Sequence, residues 1–168
     1  MASTKALQFG PLAIPLSHVF MMSKNTYGLV NLKPIRPGHV LVVSRRRVSR
    51  FNELTPEEVT DLFAHGQRAS KAVEKIYNAD GLTLCIQDGA SAGQTVKHVH
   101  LHVIPRIQGD FANNDTIYSV LEGTGVVPQQ THIDNDQREP RGDMDMTSEA
   151  AMLRREIGGW EEAVERFM

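Results

Sequence analysis

Short runs of apolar and β-branched residues, separated by turn signals, predict strands over residues 18–23, 26–32, 39–44, 81–88 and 96–105. Lys33-Pro34 and Arg36-Pro37-Gly38 punctuate the second and third of these, because proline removes a ladder donor and glycine permits a turn. Connections this short favour antiparallel pairing. Between the third and fourth runs the period changes to that of a helix. Thr55 supplies an N-cap, Pro56 fits the first helical position, and Glu58 completes a capping box. Val59, Leu62, Phe63, Ala69, Val73, Ile76 and Tyr77 then recur at three- and four-residue spacing, giving one apolar stripe to lie on a sheet. Gly66 within that stretch weakens the helix by roughly 1 kcal/mol relative to alanine. The pattern ends near Asn78-Ala79-Asp80-Gly81.

From residue 122 to 146 the periodicity fails among Gly, Pro, Gln, Asn and Asp, which predicts a long mobile loop. Residues 148–157 again favour helix, Gly158-Gly159 stops it, and Trp160, Val164 and Phe167 share one face of a last short helix. The expected class is α+β: a five-stranded antiparallel sheet with one long helix packed on it and a loosely tethered helical tail. The domain spans residues 1–121, the loop 122–146 and the tail 147–168.

The chain has 168 residues, 40% hydrophobic and 23% charged, as one ordinary globular domain would. Its net charge is −2, which argues against a general nucleic-acid coat. The charge is uneven: residues 1–121 hold 13 basic and 9 acidic groups (+4), and residues 122–168 hold 5 and 11 (−6). The basic part therefore suits an anionic ligand. Cys85 is the only cysteine and sits in an apolar run, so it reads as a small buried hydrophobe in a reducing compartment. No apolar run approaches the roughly 18 residues of a membrane span, and the Met-Ala-Ser-Thr-Lys start lacks a secretory apolar block. The expectation is a protein of the cytoplasm or nucleus, with neither membrane nor nucleic acid as partner.

In His98-Val99-His100-Leu101-His102-Val103 polar and apolar residues alternate strictly. On a strand this sends all three imidazoles to one face at a repeat of roughly 6.5–7 Å, with Val99, Leu101 and Val103 toward the core. A half-buried strand needs only polar outward residues, yet three histidines ask for more than that. They suit zinc binding, since neutral imidazole is a common ligand. They equally suit a row in which one imidazole attacks phosphorus while others orient it or contact the phosphoryl oxygens. Gly89-Ala90-Ser91-Ala92-Gly93-Gln94-Thr95, just upstream, is small enough for its backbone N–H groups to approach an anion, which favours the second reading. His18, His65 and His132 stand apart from the motif and are read as non-catalytic.

Gln87-Asp88-Gly89, Gly93-Gln94-Thr95-Val96-Lys97 and the run from His98 to Arg106 together resemble the histidine triad superfamily. Pro37-Gly38-His39-Val40-Leu41-Val42 resembles its upstream histidine segment. Gly109-Asp110-Phe111 with Asn114-Asp115-Thr116-Ile117-Tyr118 looks like the fragile-histidine-triad branch. The related phosphoramidases commonly continue the histidine strand with Gly-Gly-Arg, where this chain has Pro105-Arg106. The resemblance covers about residues 9–118 and implies a homodimer that cleaves nucleotide conjugates at the α-phosphorus. His100 is implied as nucleophile, His102 as a contact to phosphoryl oxygens, and His98 and His39 as supports. Gln87 resembles the residue near the bridging oxygen, and Asn31 the residue that holds the ribose. Gln94 and Thr95 fall among the substrate contacts. Phe9, Ile14, Leu29 and Leu41 look like an apolar purine pocket, and Tyr118 like a residue near the phosphate chain.

The implied activity is hydrolysis of a dinucleoside polyphosphate, diadenosine triphosphate giving AMP and ADP. Adenylylsulfate or a nucleoside phosphoramidate is the alternative substrate, with hydrolysis or phosphorolysis. A nucleotide-binding signalling module with slow turnover is a further alternative. No metal or other cofactor is expected on the protein; magnesium or manganese would ride on the substrate's phosphates.

Overall fold

Seven strands and four α-helices make up the fold in this computed structural model, which describes residues 6–122 and 139–168. Strands β1 (Leu7–Phe9) and β2 (Leu12–Ile14) form a two-stranded antiparallel hairpin. The main sheet contains β3 (Val19–Met22), β4 (Thr26–Val30), β5 (Val40–Ser44), β6 (Gly81–Cys85) and β7 (His100–Arg106), in the order β3-β4-β5-β7-β6, every pair antiparallel. Helix α1 (Pro56–Tyr77) connects β5 to β6; α2 (Thr116–Glu122), α3 (Asp143–Ile157) and α4 (Trp160–Phe167) follow the sheet.

The long helix forms as its sequence predicts. Thr55 Oγ1 accepts from the Glu58 N–H, while the Glu58 carboxylate returns the bond to the Thr55 N–H. Leu62, Ala69, Ala72 and Val73 of α1 then bury against Val40, Val42, Leu101 and Val103 of the sheet. A Cβ built on Gly66 would meet Leu101 Cδ2 at 2.5 Å. The absent side chain lets the helix cross β7 closely, which offsets its poor helix propensity.

Four expectations are corrected. The histidine strand begins at His100, not at 96, because the His98 N–H turns back on the Val96 carbonyl (2.8 Å) instead of entering the ladder. The hairpin β1–β2 and the helix α2 are additional elements. The expected loop is cut short from its C-terminal side: α3 starts at Asp143, and residues 123–138 lie outside the described residues. Nor is the tail loosely tethered. Met146, Ala150 and Leu153 of α3 belong to the same buried cluster as α1 and the sheet, and Trp160 and Phe167 of α4 pack beside the hairpin side of the sheet. The Arg154 guanidinium ties this tail down, donating to the carbonyls of Leu16 and Val19 and lying 4.0 Å from the Trp160 ring centre.

Candidate functional site

The side of the sheet covered by the hairpin carries the histidines. Val99, Leu101 and Val103 join the opposite cluster under α1, so the predicted alternation holds. The Phe9 ring links the row, with centroids 5.9 Å from His98 and 5.0 Å, edge-on, from His100. His100 and His102 follow at 4.8 Å, less than the backbone repeat because the rings tilt into a T. His39 lies 5.2 Å from His102.

Backbone partners fix the tautomer of each ring in turn. His98 Nδ1 accepts from the Gly10 N–H (3.0 Å), so Nε2 bears the proton and donates to the Ser44 carbonyl (2.6 Å). His100 Nδ1 donates to the His98 carbonyl (2.7 Å), which leaves Nε2 with the lone pair. His39 Nδ1 accepts from the Ile35 N–H (3.1 Å); its protonated Nε2 therefore donates to His102 Nδ1 (3.0 Å), and His102 carries its own proton on Nε2. Desolvation pushes the His98 and His100 imidazoles below the ordinary histidine range, against opposing carbonyl hydrogen bonds, so both rings are neutral at pH 7.

The rings of His39, His100 and His102 open onto a cavity of about 430 Å³. Of the residues expected from sequence, it brings together Phe9, Ile14, Leu29, Leu41, Asn31, His39, Gln87, Thr95, His100 and His102. Asn31 Oδ1 accepts from the Lys33 N–H, and its Nδ2 lies 3.4 Å from His39 Nδ1, the accepting nitrogen of that ring. Gln87 Nε2 donates to the Leu121 carbonyl at the end of α2 and stands over Gly93, where a Cβ would strike it.

The remaining expected residues lie elsewhere. His98 sits behind the row as its buried support. Gln94 is a brace: its Oε1 accepts from the Gly89 N–H and its Nε2 donates to the Ser49 carbonyl. The backbone cradle expected from residues 89–94 is largely consumed, since the N–H groups of Gly89, Ala92, Gly93 and Gln94 all bond within the loop. Tyr118 is 55% exposed on α2 and lines a separate polar depression with Arg106, Asp110 and Phe111. Sequence reasoning missed Leu12, His18, Val96, Leu121 and Met146, which also line the cavity. The alternation Leu7, Phe9, Gly10-Pro11, Leu12, Ile14 was a readable hairpin signal. Nothing local marked Met146, which arrives from a helix far along the chain.

Among the described residues, no group of three or more His, Cys, Asp or Glu is arranged to hold a metal ion, and no helix is long and apolar enough to cross a membrane. Burial pushes the Cys85 thiol up to about 11.

A family model described as the HIT domain matches residues 15–109. The chain is 47% identical over 146 residues to the bis(5'-adenosyl)-triphosphatase of Dictyostelium discoideum, covering 87% of this chain and 89% of that one. It is 44% identical to the bifunctional bis(5'-adenosyl)-triphosphatase/adenylylsulfatase FHIT of Arabidopsis thaliana, covering 92% and 86%. Among solved structures, Plasmodium falciparum diadenosine triphosphate hydrolase in complex with cyclomarin A superposes with a TM-score of 0.70 at 27% identity, covering 99% of this chain and 89% of that chain.

Proposed function

Because the chain belongs to the HIT domain family, we propose that it is a dinucleoside polyphosphate hydrolase, cleaving diadenosine triphosphate to AMP and ADP through a nucleotidyl intermediate on His100. The hydrogen bond from His100 Nδ1 to the His98 carbonyl carries this reading. It keeps the Nε2 lone pair available for in-line attack on the α-phosphorus. When the P–N bond forms and the P–O bond to the leaving ADP breaks, the imidazole becomes cationic, and the same carbonyl then accepts from a charged donor, a stronger bond. The Nε2–H of His102 is the donor for the phosphoryl oxygens, with His39 holding it in that tautomer. Water next attacks phosphorus and gives up a proton to the solvent, the P–N bond breaks, its electron pair returns to Nε2, and AMP leaves.

Phe9, Ile14, Leu29 and Leu41 suit the base, Asn31 the ribose, and Gln87 with Thr95 the phosphate chain. Tyr118 reaches that chain only from outside the cavity. A divalent cation, magnesium or manganese, would enter on the substrate. The Arabidopsis relative's name favours one second substrate, adenylylsulfate, which differs only in its leaving group.

A homodimer fits the sheet. Its β3 edge is covered by α3 and α4, whereas β6 forms the other edge with Leu84 48% exposed, an edge that a second copy could continue. Leu84→Glu should shift sedimentation to the monomer. One cysteine and this chemistry suit the cytoplasm or nucleus.

The test is hydrolysis of diadenosine triphosphate in heavy-oxygen water, with products identified by mass spectrometry. Label in AMP from the native chain, and loss of turnover in His100→Asn, are expected; undiminished cleavage by the variant overturns the assignment.

A further inference from the structure

We propose that His18, oriented by Asp143, reads position 6 of the purine and makes the cavity select a 6-aminopurine over a 6-oxopurine; the inference rests on the nucleotide hydrolase reading above and deepens it. The sheet register places His18 where the base must lie. Val19 pairs with Leu29, Leu29 with Leu41, and Leu41 with His102, in one row across four strands. At about 4.8 Å per strand the row extends roughly 14 Å from His102 to the start of β3. A nucleotide with its α-phosphorus at His100 therefore runs its sugar and base along that row, and the far edge of the base arrives beside His18.

That end of the cavity is otherwise apolar, lined by Phe9, Leu12, Ile14 and Leu29. The other polar lining groups come from the histidine strand, the segment before it, and the residues from Asn31 to His39 that follow β4. His18 is held firmly. Its N–H donates to the Pro15 carbonyl (3.0 Å), and the Arg154 guanidinium bonds the carbonyls of Leu16 and Val19 on either side of it. Its ring is 13% exposed, and its Nε2 lies 2.7 Å from Asp143 Oδ1, whose side chain is 78% exposed.

A carboxylate only accepts, so a neutral His18 commits its proton to Nε2 and presents Nδ1 as an acceptor. The exocyclic amine of adenine can donate to it. The O6 of hypoxanthine or guanine would set one lone pair against another in an apolar surrounding, a mismatch expected to cost about tenfold or more in affinity.

The experiment is calorimetric titration of the full chain with AMP and with IMP, paired with a diadenosine triphosphate turnover assay. The native chain should bind AMP about tenfold more tightly than IMP, and His18→Val should bind the two about equally. Asp143→Ala, at a largely exposed position, should cut the preference severalfold by releasing the tautomer. Equal affinities in the native chain, or an undiminished preference in His18→Val, overturn the proposal and leave the pair as a strap between β3 and α3. Selective AMP binding without turnover sinks the hydrolase reading alone; turnover without base preference sinks the base reading alone.

Discussion

His39 and His102 are joined ring to ring, Nε2 to Nδ1 at 3.0 Å, and the Ile35 N–H behind His39 sets the direction of the proton. In His39→Leu the Ile35 N–H and His102 Nδ1 both lose this buried partner, and His102 is released to adopt the other tautomer. A buried polar group left unsatisfied costs about 1–3 kcal/mol, and a loss felt only in the transition state lowers kcat/KM roughly 10- to 100-fold. Hydrolysis of diadenosine triphosphate by the folded variant checks this; a loss below about twofold would show that His39 does not set the tautomer of His102 for catalysis.

The pH dependence follows from burial. Desolvation holds the His98 and His100 imidazoles below the ordinary value of about 6.5. His100 therefore stays unprotonated and able to attack at pH values where a free histidine is charged, so the acid limb of kcat/KM should fall below about pH 6.5. Stability has a definite sign too. Below about pH 6.5 the unfolded chain binds protons that the folded chain refuses, so the contribution of these two rings is full above that pH and is lost as pH falls. Urea midpoints measured across the same range should decline in parallel. An acid limb centred above 6.5 would falsify the neutral nucleophile.

Sequence alone placed the side chains of the histidine strand well, because that signal is local. Strict alternation around His100 placed the rings on one side and the valines in the core, because a strand has no other way to arrange them. The capping box at Thr55 fixed the start of α1 within one residue. What escaped was non-local or competitive. Gln94 reads from sequence as a substrate contact, while its amide spans Gly89 and Ser49, a bridge between segments 45 residues apart in the chain. Met146 meets the cavity only because α3 returns over the sheet, and no periodicity records such a return.

That return also anchors the sugar end of the site. The Arg141 guanidinium donates to the Asn31 carbonyl, its backbone N–H donates to the Leu32 carbonyl (3.0 Å), and Glu149 pairs with it at 2.6 Å while accepting from the Tyr77 hydroxyl. Arg141→Ala leaves the buried Glu149 carboxylate without its cation, at about 3 kcal/mol measured by urea unfolding. It also loosens the turn that presents Asn31, so KM for diadenosine triphosphate should rise roughly tenfold while kcat changes little. A fall in kcat with KM unchanged would show that Arg141 acts on the chemistry and not on nucleoside binding.

Gly66 offers a sharper test of how the helix layer supports the histidine strand, because two effects of opposite sign meet at one methyl group. Alanine improves helix propensity by about 1 kcal/mol. Against this, the new Cβ would meet Leu101 Cδ2 at 2.5 Å, and Leu101 is 1% exposed, so its side chain cannot swing out into solvent. Overpacking of a close-packed core costs about 1–3 kcal/mol. Steric cost should win, leaving Gly66→Ala destabilised by about 1 kcal/mol in urea despite being the better helix former. Leu101 lies between His100 and His102 on β7, so relief by backbone movement would shift the rings that bracket it. Reduced kcat at temperatures where the variant is fully folded is the expected sign of that shift. If Gly66→Ala instead raised stability, α1 would have room above β7, and the close crossing inferred from the missing side chain would be wrong.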